Sequence, residues 1–271
     1  MDNKIFTEVK DHIGIIWFNR PEKKNALNDE LWFGLSELVK ELDNNEDVRV
    51  IVFGAKGDTF SAGIDIQTLA EAFQLSPDAK TTTGERLEVM AITKKFQDAF
   101  TTIAKTTKPT IAAIQGYCIG AAVNMVSSCD IRLSTNDATF SIRESKLGLV
   151  ADVGALQRMP EIISKGILRE LAYTGRFFDA AYANEIGFVN RTFDTYDELW
   201  KETMELAKEI ASNSPLVVKG LKMIMDKTED LTADQSLDLV RMWSTSFLVS
   251  EDLHEGITAL MEKREPNFKG K

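Results

Sequence analysis

Glu144 and Asp152 follow a glycine- and alanine-rich turn, Gly116 to Ala122, with the amide of Asn124 lying between the turn and the two acids. Small residues let a turn leave backbone N–H groups bare. Bare N–H groups beside a carboxyl suit one task, holding an enolate while a proton is moved. Asp152 sits between Leu149-Val150-Ala151 and Val153-Gly154-Ala155, and burying an unpaired carboxylate in such a run is costly. Two readings of Asp152 stand open. Either it caps a helix beginning near Val153, or it is a carboxyl in a dry pocket, with a raised pKa suited to proton transfer. A second turn of small residues, Phe60-Ser61-Ala62-Gly63-Ile64-Asp65, also follows an apolar run. The chain has neither a Walker A sequence nor G-x-G-x-x-G, so a nucleotide phosphate cradle is not indicated.

The elements that must carry these turns alternate along the first two thirds of the chain. Residues 4–10 and 15–18 read as a hairpin across a turn at 11–14. Asn28 reads as the N-cap of a helix with Leu31, Leu35, Leu38, Val39 and Leu42 on one face, ending near Asn44 and Asn45. Residues 50–53 and Thr110–Ile114 are uninterrupted apolar runs, the pattern of strands covered on both faces. A glycine-bearing loop over 54–63 follows the first, and a turn over 116–120 the second. Residues 75–84 are polar, with Ser76-Pro77 and threonines that break a helix, and helical spacing returns over 85–107. A helix over 121–128 and strands over 131–134 and 138–142 extend a strand–strand–helix repeat. From about Asp194 the pattern changes to helices over 196–212, 215–227, 232–249 and 251–263, the last capped by Ser250. The reading is an α/β core over residues 1–194 with a helical region over 195–271.

The chain has 271 residues and a net charge of -10. A nucleic-acid partner would require a basic stripe, which this composition does not supply. Lys23, Lys24, Lys56 and Lys222 can still serve an anionic small ligand locally, or simply form a solvated face. Cys118 and Cys129 form no C-x-x-C pair, which fits a reduced, cytoplasmic protein. The only histidines, His12 and His254, lie far apart, so neither a metal cluster nor a histidine-dependent triad is expected. No basic segment followed by an apolar one opens the chain, and no secretory signal is read there. Residues 109–129 carry no charge, a length that can span a bilayer. Pro109, Gln115, Asn124, Ser127 and Ser128 favour a buried strand, loop and helix instead, and no membrane partner is expected.

Several motifs in fixed order resemble the crotonase, or enoyl-CoA hydratase/isomerase, superfamily. They are Asn19-Arg20-Pro21 with Asn25-Ala26-Leu27-Asn28, Phe60 to Asp65, Ile114-Gln115-Gly116-Tyr117-Cys118-Ile119-Gly120, Cys129-Asp130-Ile131-Arg132, Gly154-Ala155-Leu156-Gln157-Arg158 and residues 183–189. The resemblance implies a spiral of β-β-α units, a C-terminal helical region used in a homotrimer or dimer of trimers, and acyl-CoA thioester substrates. It implies an oxyanion hole from the N–H groups of Ile64 and Ala121. Ala62 and Asp65 would border coenzyme A, with Lys23 or Lys24 near its phosphates. Residues 144–160 look most like the dienoyl-CoA isomerase branch, which has acids matching Glu144 and Asp152. Asn124 departs from that branch, which has aspartate there, and from the hydratases, which have glutamate.

An amide cannot act as the base, so Asn124 weakens hydration more than double-bond migration. The expected function is an acyl-CoA double-bond isomerase with Glu144 and Asp152 moving protons and Asn124 in the catalytic group. No cofactor is expected beyond coenzyme A as part of the substrate. The alternatives are an enoyl-CoA hydratase and a catalytically weak acyl-CoA-binding protein. An acid-nucleophile reaction through Asp152 would require a trapped acyl-enzyme.

Overall fold

The computed structural model describes residues 3–72, 82–228 and 231–271. β1 (Ile5–Lys10) pairs antiparallel with β2 (Ile13–Phe18), as the hairpin pattern predicts. The turn is shorter than expected: Asp11 and His12 both take positive φ, 52° and 64°, as a two-residue hairpin turn demands. α1 (Asp29–Asn44) begins where the Asn28 side chain accepts the Leu31 N–H, and it buries Leu31, Trp32, Leu35, Val39 and Leu42. A cap contributes about 1 kcal/mol and each fully buried aliphatic side chain about 1.5–3 kcal/mol, so burial of that face decides the helix.

β3 (Val50–Ala55) leads to α2 (Ile66–Ala72) and then α3 (Thr83–Lys105), which returns the chain to β4 (Thr110–Ile114). Both strands are buried at every residue. Of the polar stretch 75–84, residues 75–81 lie outside the described residues. The remaining threonines do the opposite of breaking a helix: Thr82 caps α3 in a reciprocal capping box with Glu85, and Thr83 is its first residue.

Next come β5 (Tyr117–Ile119), α4 (Ala121–Val126), β6 (Ile131–Thr135), β7 (Thr139–Ser141), α5 (Ala155–Arg158), α6 (Lys165–Thr174), β8 (Phe178–Asp179), α7 (Ala180–Glu185) and β9 (Arg191–Phe193). β5 corrects the turn expected over 116–120. Gly116 and Gly120 turn the chain at φ 56° and 54°, and the three residues between them pair in parallel with β7.

Two sheets result, ordered β1-β2-β3-β4-β6-β9 and β5-β7-β8. The chain passes from β4 to β5 and from β6 to β7, and β4 pairs with β6 as β5 pairs with β7. A bridge between Ser61 and Cys118 gives the turn after β3 the same place in the smaller sheet. The architecture is thus the expected α/β spiral of strand–strand–helix turns. Its consequence for function is positional: the turns after β3 and after β5 are equivalent points on successive coils, and must lie side by side.

α8 (Tyr196–Ser212), α9 (Pro215–Thr228), α10 (Ala233–Phe247) and α11 (Glu251–Glu262) follow. α8 lays Leu199, Ala207 and Ala211 on one face of the larger sheet, against Ile13, Val50, Val52 and Ile111. The other face packs on α1, α3 and α4. Ser250 caps α11 by accepting the Leu253 N–H, as expected. No helix among the described residues is long and apolar enough to cross a membrane; the uncharged run becomes β4, β5 and α4 in the core.

Candidate active site

The two small-residue turns meet. Ser61 N–H donates to Tyr117 O (2.9 Å), Ile119 N–H donates to Ser61 O (3.1 Å), and Leu27 N–H donates to Gly63 O (2.8 Å). These backbone bonds fix Gly63-Ile64 against Gly120-Ala121 so closely that a Cβ on Gly63 would lie 2.4 Å from Ile119 O and 3.5 Å from Ala121 N. Among the described residues, neither the Ile64 N–H nor the Ala121 N–H finds an acceptor in the chain. Both residues line one cavity of about 730 Å³, whose walls are mostly apolar, among them Trp32, Phe96, Leu149 and Val153. Unspent donors in such a wall can stabilise an oxyanion, because little water competes for them.

The carboxyls come to the same cavity. Glu144 follows β7 at the start of a short turn, and Gly120 is so near that a Cβ there would lie 3.8 Å from Glu144 Oε1. Oε1 accepts from Asn124 Nδ2 (2.7 Å), whereas Oε2 is buried without a hydrogen-bond partner. Burial raises the Glu144 pKa above its ordinary value of 4.5, and the Asp152 charge adds to that rise; backbone hydrogen bonds and the Asn124 amide oppose it. Asp152 stands at the solvent-exposed rim, with its pKa also raised by burial against its neighbours. Its loop is held from α3, where Gln97 Nε2 donates to Asp152 O (2.7 Å) and Arg158 links Val153 O to Thr101 Oγ1.

Asp152 is not the helix cap. α5 begins at Ala155 after Gly154, and the side chain that accepts the Ala155 N–H is that of Asn124 (2.8 Å). Gly154 turns the chain at φ 124°, which leaves Asp152 outside the reach of a cap.

Of the coenzyme A candidates, Ala62 lines the cavity and its N–H donates to Lys24 O (2.9 Å). Lys24 Nζ lies 5.2 Å from the Tyr117 ring, and Lys23 is exposed beside it. Lys56 is stacked 3.5 Å over the Trp17 ring. Lys222 is neither solvated nor available to a ligand: it is buried, with its ammonium 2.6 Å from Asp130 Oδ2.

The Asp65 carboxylate is spent within the chain, on Arg20 Nη1 (2.6 Å) and the Gln67 N–H (2.9 Å). The Arg20 hydrogen bond is the main cause that lowers its pKa. Sequence reading missed this pair, and with it Asn25. That buried side chain accepts the Arg20 N–H and donates to Lys56 O and Thr59 O, while Asn25 O accepts Ser61 Oγ. Asn25 and Arg20 had stood out only as parts of a resembling motif.

Asp65→Asn is expected to cost about 1–3 kcal/mol in urea unfolding. Because folding lowers the Asp65 pKa, its contribution is present above the ordinary value of 3.8 and lost as pH falls through the folded value. The difference between variant and wild type should therefore narrow in acid.

The chain is similar to known proteins over most of its length. The sequence model of the family described as Enoyl-CoA hydratase/isomerase matches residues 8–271. The mitochondrial Delta(3,5)-Delta(2,4)-dienoyl-CoA isomerase of Dictyostelium discoideum is 37% identical over 251 residues, covering 92% of this chain and 85% of that protein. The peroxisomal Delta(3,5)-Delta(2,4)-dienoyl-CoA isomerase of Arabidopsis thaliana is 37% identical over 250 residues, covering 92% of this chain and 90% of its own. Among solved structures, an enoyl-CoA hydratase from Bacillus anthracis superposes with a TM-score of 0.89 at 26% identity, covering 99% of this chain and 100% of that one.

Proposed function

Because the chain belongs to the enoyl-CoA hydratase/isomerase family, on its dienoyl-CoA isomerase branch, we propose that it moves the double bonds of an acyl-CoA thioester by proton transfer through Glu144. The observation that carries this reading is the buried, unpartnered Oε2 of Glu144 beside two unspent backbone donors. With the thioester oxygen on the Ile64 and Ala121 N–H groups, the carbon next to the carbonyl lies toward Gly120 and Glu144. Glu144 takes a proton from that carbon, and the electron pair moves onto the thioester oxygen. In a 3-enoyl ester, Glu144 returns the proton two carbons further on. In a 3,5-dienoyl ester, Asp152 delivers a proton at the far end, and both double bonds shift by one carbon. Atoms balance in each case: one proton leaves and one arrives.

Hydration finds less support. A hydratase needs a second group near Glu144 to hold water. The two N–H bonds of the Asn124 amide are already given to Glu144 Oε1 and Gly120 O (3.1 Å). Ala62, which lines the cavity, and the exposed Lys23 and Lys24, the latter bonded to Ala62 through its backbone, support coenzyme A binding. The exposed apolar side chains of α10 and α11, such as Leu237, Met242, Leu260 and Met261, support assembly into a trimer through the helical region 195–271.

Incubation with 3-enoyl- and 3,5-dienoyl-CoA esters tests the reading. An isomerase leaves the mass unchanged and shifts the ultraviolet absorbance; a product heavier by one water sinks the proposal. Asp152→Asn is expected to slow the diene reaction by about 10²–10⁴-fold, the usual cost of losing a proton-transfer group, with little effect on the 3-enoyl ester. Equal losses on both substrates would show that Asp152 does not act at the distal carbon.

A further inference from the structure

We propose, resting on the proton-transfer reading above, that Asn124 is a positioning residue that locks the Glu144 carboxyl with one oxygen presented and ties that carboxyl to the loop bearing Asp152. The amide has three partners, and their chemistry fixes its orientation. Ala155 N–H can only donate, so it must face Oδ1; Gly120 O can only accept, so it must face Nδ2. The second Nδ2 proton then points at Glu144 Oε1. Asn124 is fully buried in the middle of α4, so its χ angles have little freedom. One side chain thus joins the coil that supplies the Ala121 N–H, the turn that supplies Glu144, and the start of α5 just beyond Asp152.

A carboxyl at this position could replace only part of that network. An aspartate oxygen would accept the Ala155 N–H, but its other oxygen would face two acceptors, Gly120 O and Glu144 Oε1. It would have to take up a proton or repel Glu144, and two carboxylates sharing a site raise one pKa strongly. The amide therefore spares Glu144 a second carboxyl packed directly against it.

The groups facing Glu144 are few. Arg143, its chain neighbour, also lines the cavity, and its guanidinium donates to Gly175 O (2.8 Å) and lies 4.5 Å from the Phe177 ring. Asp152 is the charge opposite. The wall contributed by α3 is Val89, Thr93 and Phe96, and the Ile64 turn adds no free charge because Asp65 is held by Arg20. The Asn124 amide is thus the hydrogen bond from another element that favours the ionised form of Glu144.

The test is the carboxyl titration of Glu144 by infrared difference spectroscopy in the substrate-free protein, assigned by its loss in Glu144→Gln. In Asn124→Asp the two carboxyls should titrate as a pair, with the upper midpoint about one pH unit or more above that of the wild type. In Asn124→Ala the midpoint should rise less, and the acidic limb of isomerase turnover should follow in both. A residue serving only to fill the core would lower the melting temperature and leave the midpoint where it was. Unshifted midpoints in both variants overturn the proposal. Should neither variant fold, the wild type decides: the Asn124 side-chain NH₂ resonances must titrate with the Glu144 midpoint, and their indifference to it overturns the proposal. A wild type that titrates as expected but isomerises no ester would refute the function and leave the positioning role intact.

Discussion

Glu144→Gln is expected to lower isomerase turnover by about 10²–10⁴-fold, the cost of removing a general base or acid from the reacting atoms. Glutamine keeps the shape of glutamate, and its carbonyl can still accept from Asn124 Nδ2. Binding of a saturated acyl-CoA, measured by calorimetry, should therefore change little. The pH dependence follows from the same burial. The shuttle must begin ionised, so wild-type turnover should fall on the acid side with a midpoint above the ordinary glutamate value of 4.5. Stability should run the other way. Folding raises the Glu144 pKa, so its contribution is greatest below the unfolded value and is lost as pH rises through the folded value. At neutral pH the variant, which has no charge to desolvate, should melt above the wild type; in acid the two should converge. A variant that is both inactive and less stable at neutral pH would mean that the carboxylate is a structural anchor rather than a strained catalyst.

The parts of this protein that were legible in its sequence are those decided by local periodicity or by burial of a whole face. Val50 to Phe53 and Thr110 to Ile114 read as strands because nothing polar interrupts them, and Ser250 and Asn28 read as caps because their hydroxyl and amide serve the very next turn. What escaped was decided by distant partners. β5 holds only Tyr117, Cys118 and Ile119, too few for a period, and exists because β7 offers it an edge. Asp152 could be read either as a cap or as a pocket carboxyl, because the group that accepts the Ala155 N–H comes from Asn124 in distant α4. Lys222 looked solvated because its partner, Asp130, lies 92 residues away. Asn124 is the instructive case. An amide where the resembling proteins carry an acid made it a candidate, but only its three partners show what it bonds to.

Gly63→Ala is expected to reduce turnover by about 10²–10³-fold, as loss of an oxyanion donor does, although no atom of the donors themselves is removed. Gly63 sits at φ 90°, where an L side chain is strained, and its Cβ would lie 2.4 Å from the backbone oxygen of Ile119. Neither side can yield cheaply. Gly63 O is held by the Leu27 N–H, and the Ile119 N–H is held by Ser61 O. Relief must come from parting the two coils, which separates the Ile64 and Ala121 N–H groups that share one cavity because those coils touch. Strain of this kind costs about 1–3 kcal/mol in stability as well, so a lower melting temperature alone would not locate the damage. Gly187→Ala supplies the contrast. Its φ is 79°, but its Cβ would meet only Ile162 O at an ordinary 3.6 Å, away from the cavity. That variant should lose stability and keep its turnover per folded molecule, whereas Gly63→Ala should lose turnover with the Glu144 titration unmoved. If both variants turned over normally when folded, the Ile64 and Ala121 N–H groups would not be the oxyanion site, and the thioester would have to be held elsewhere in the cavity.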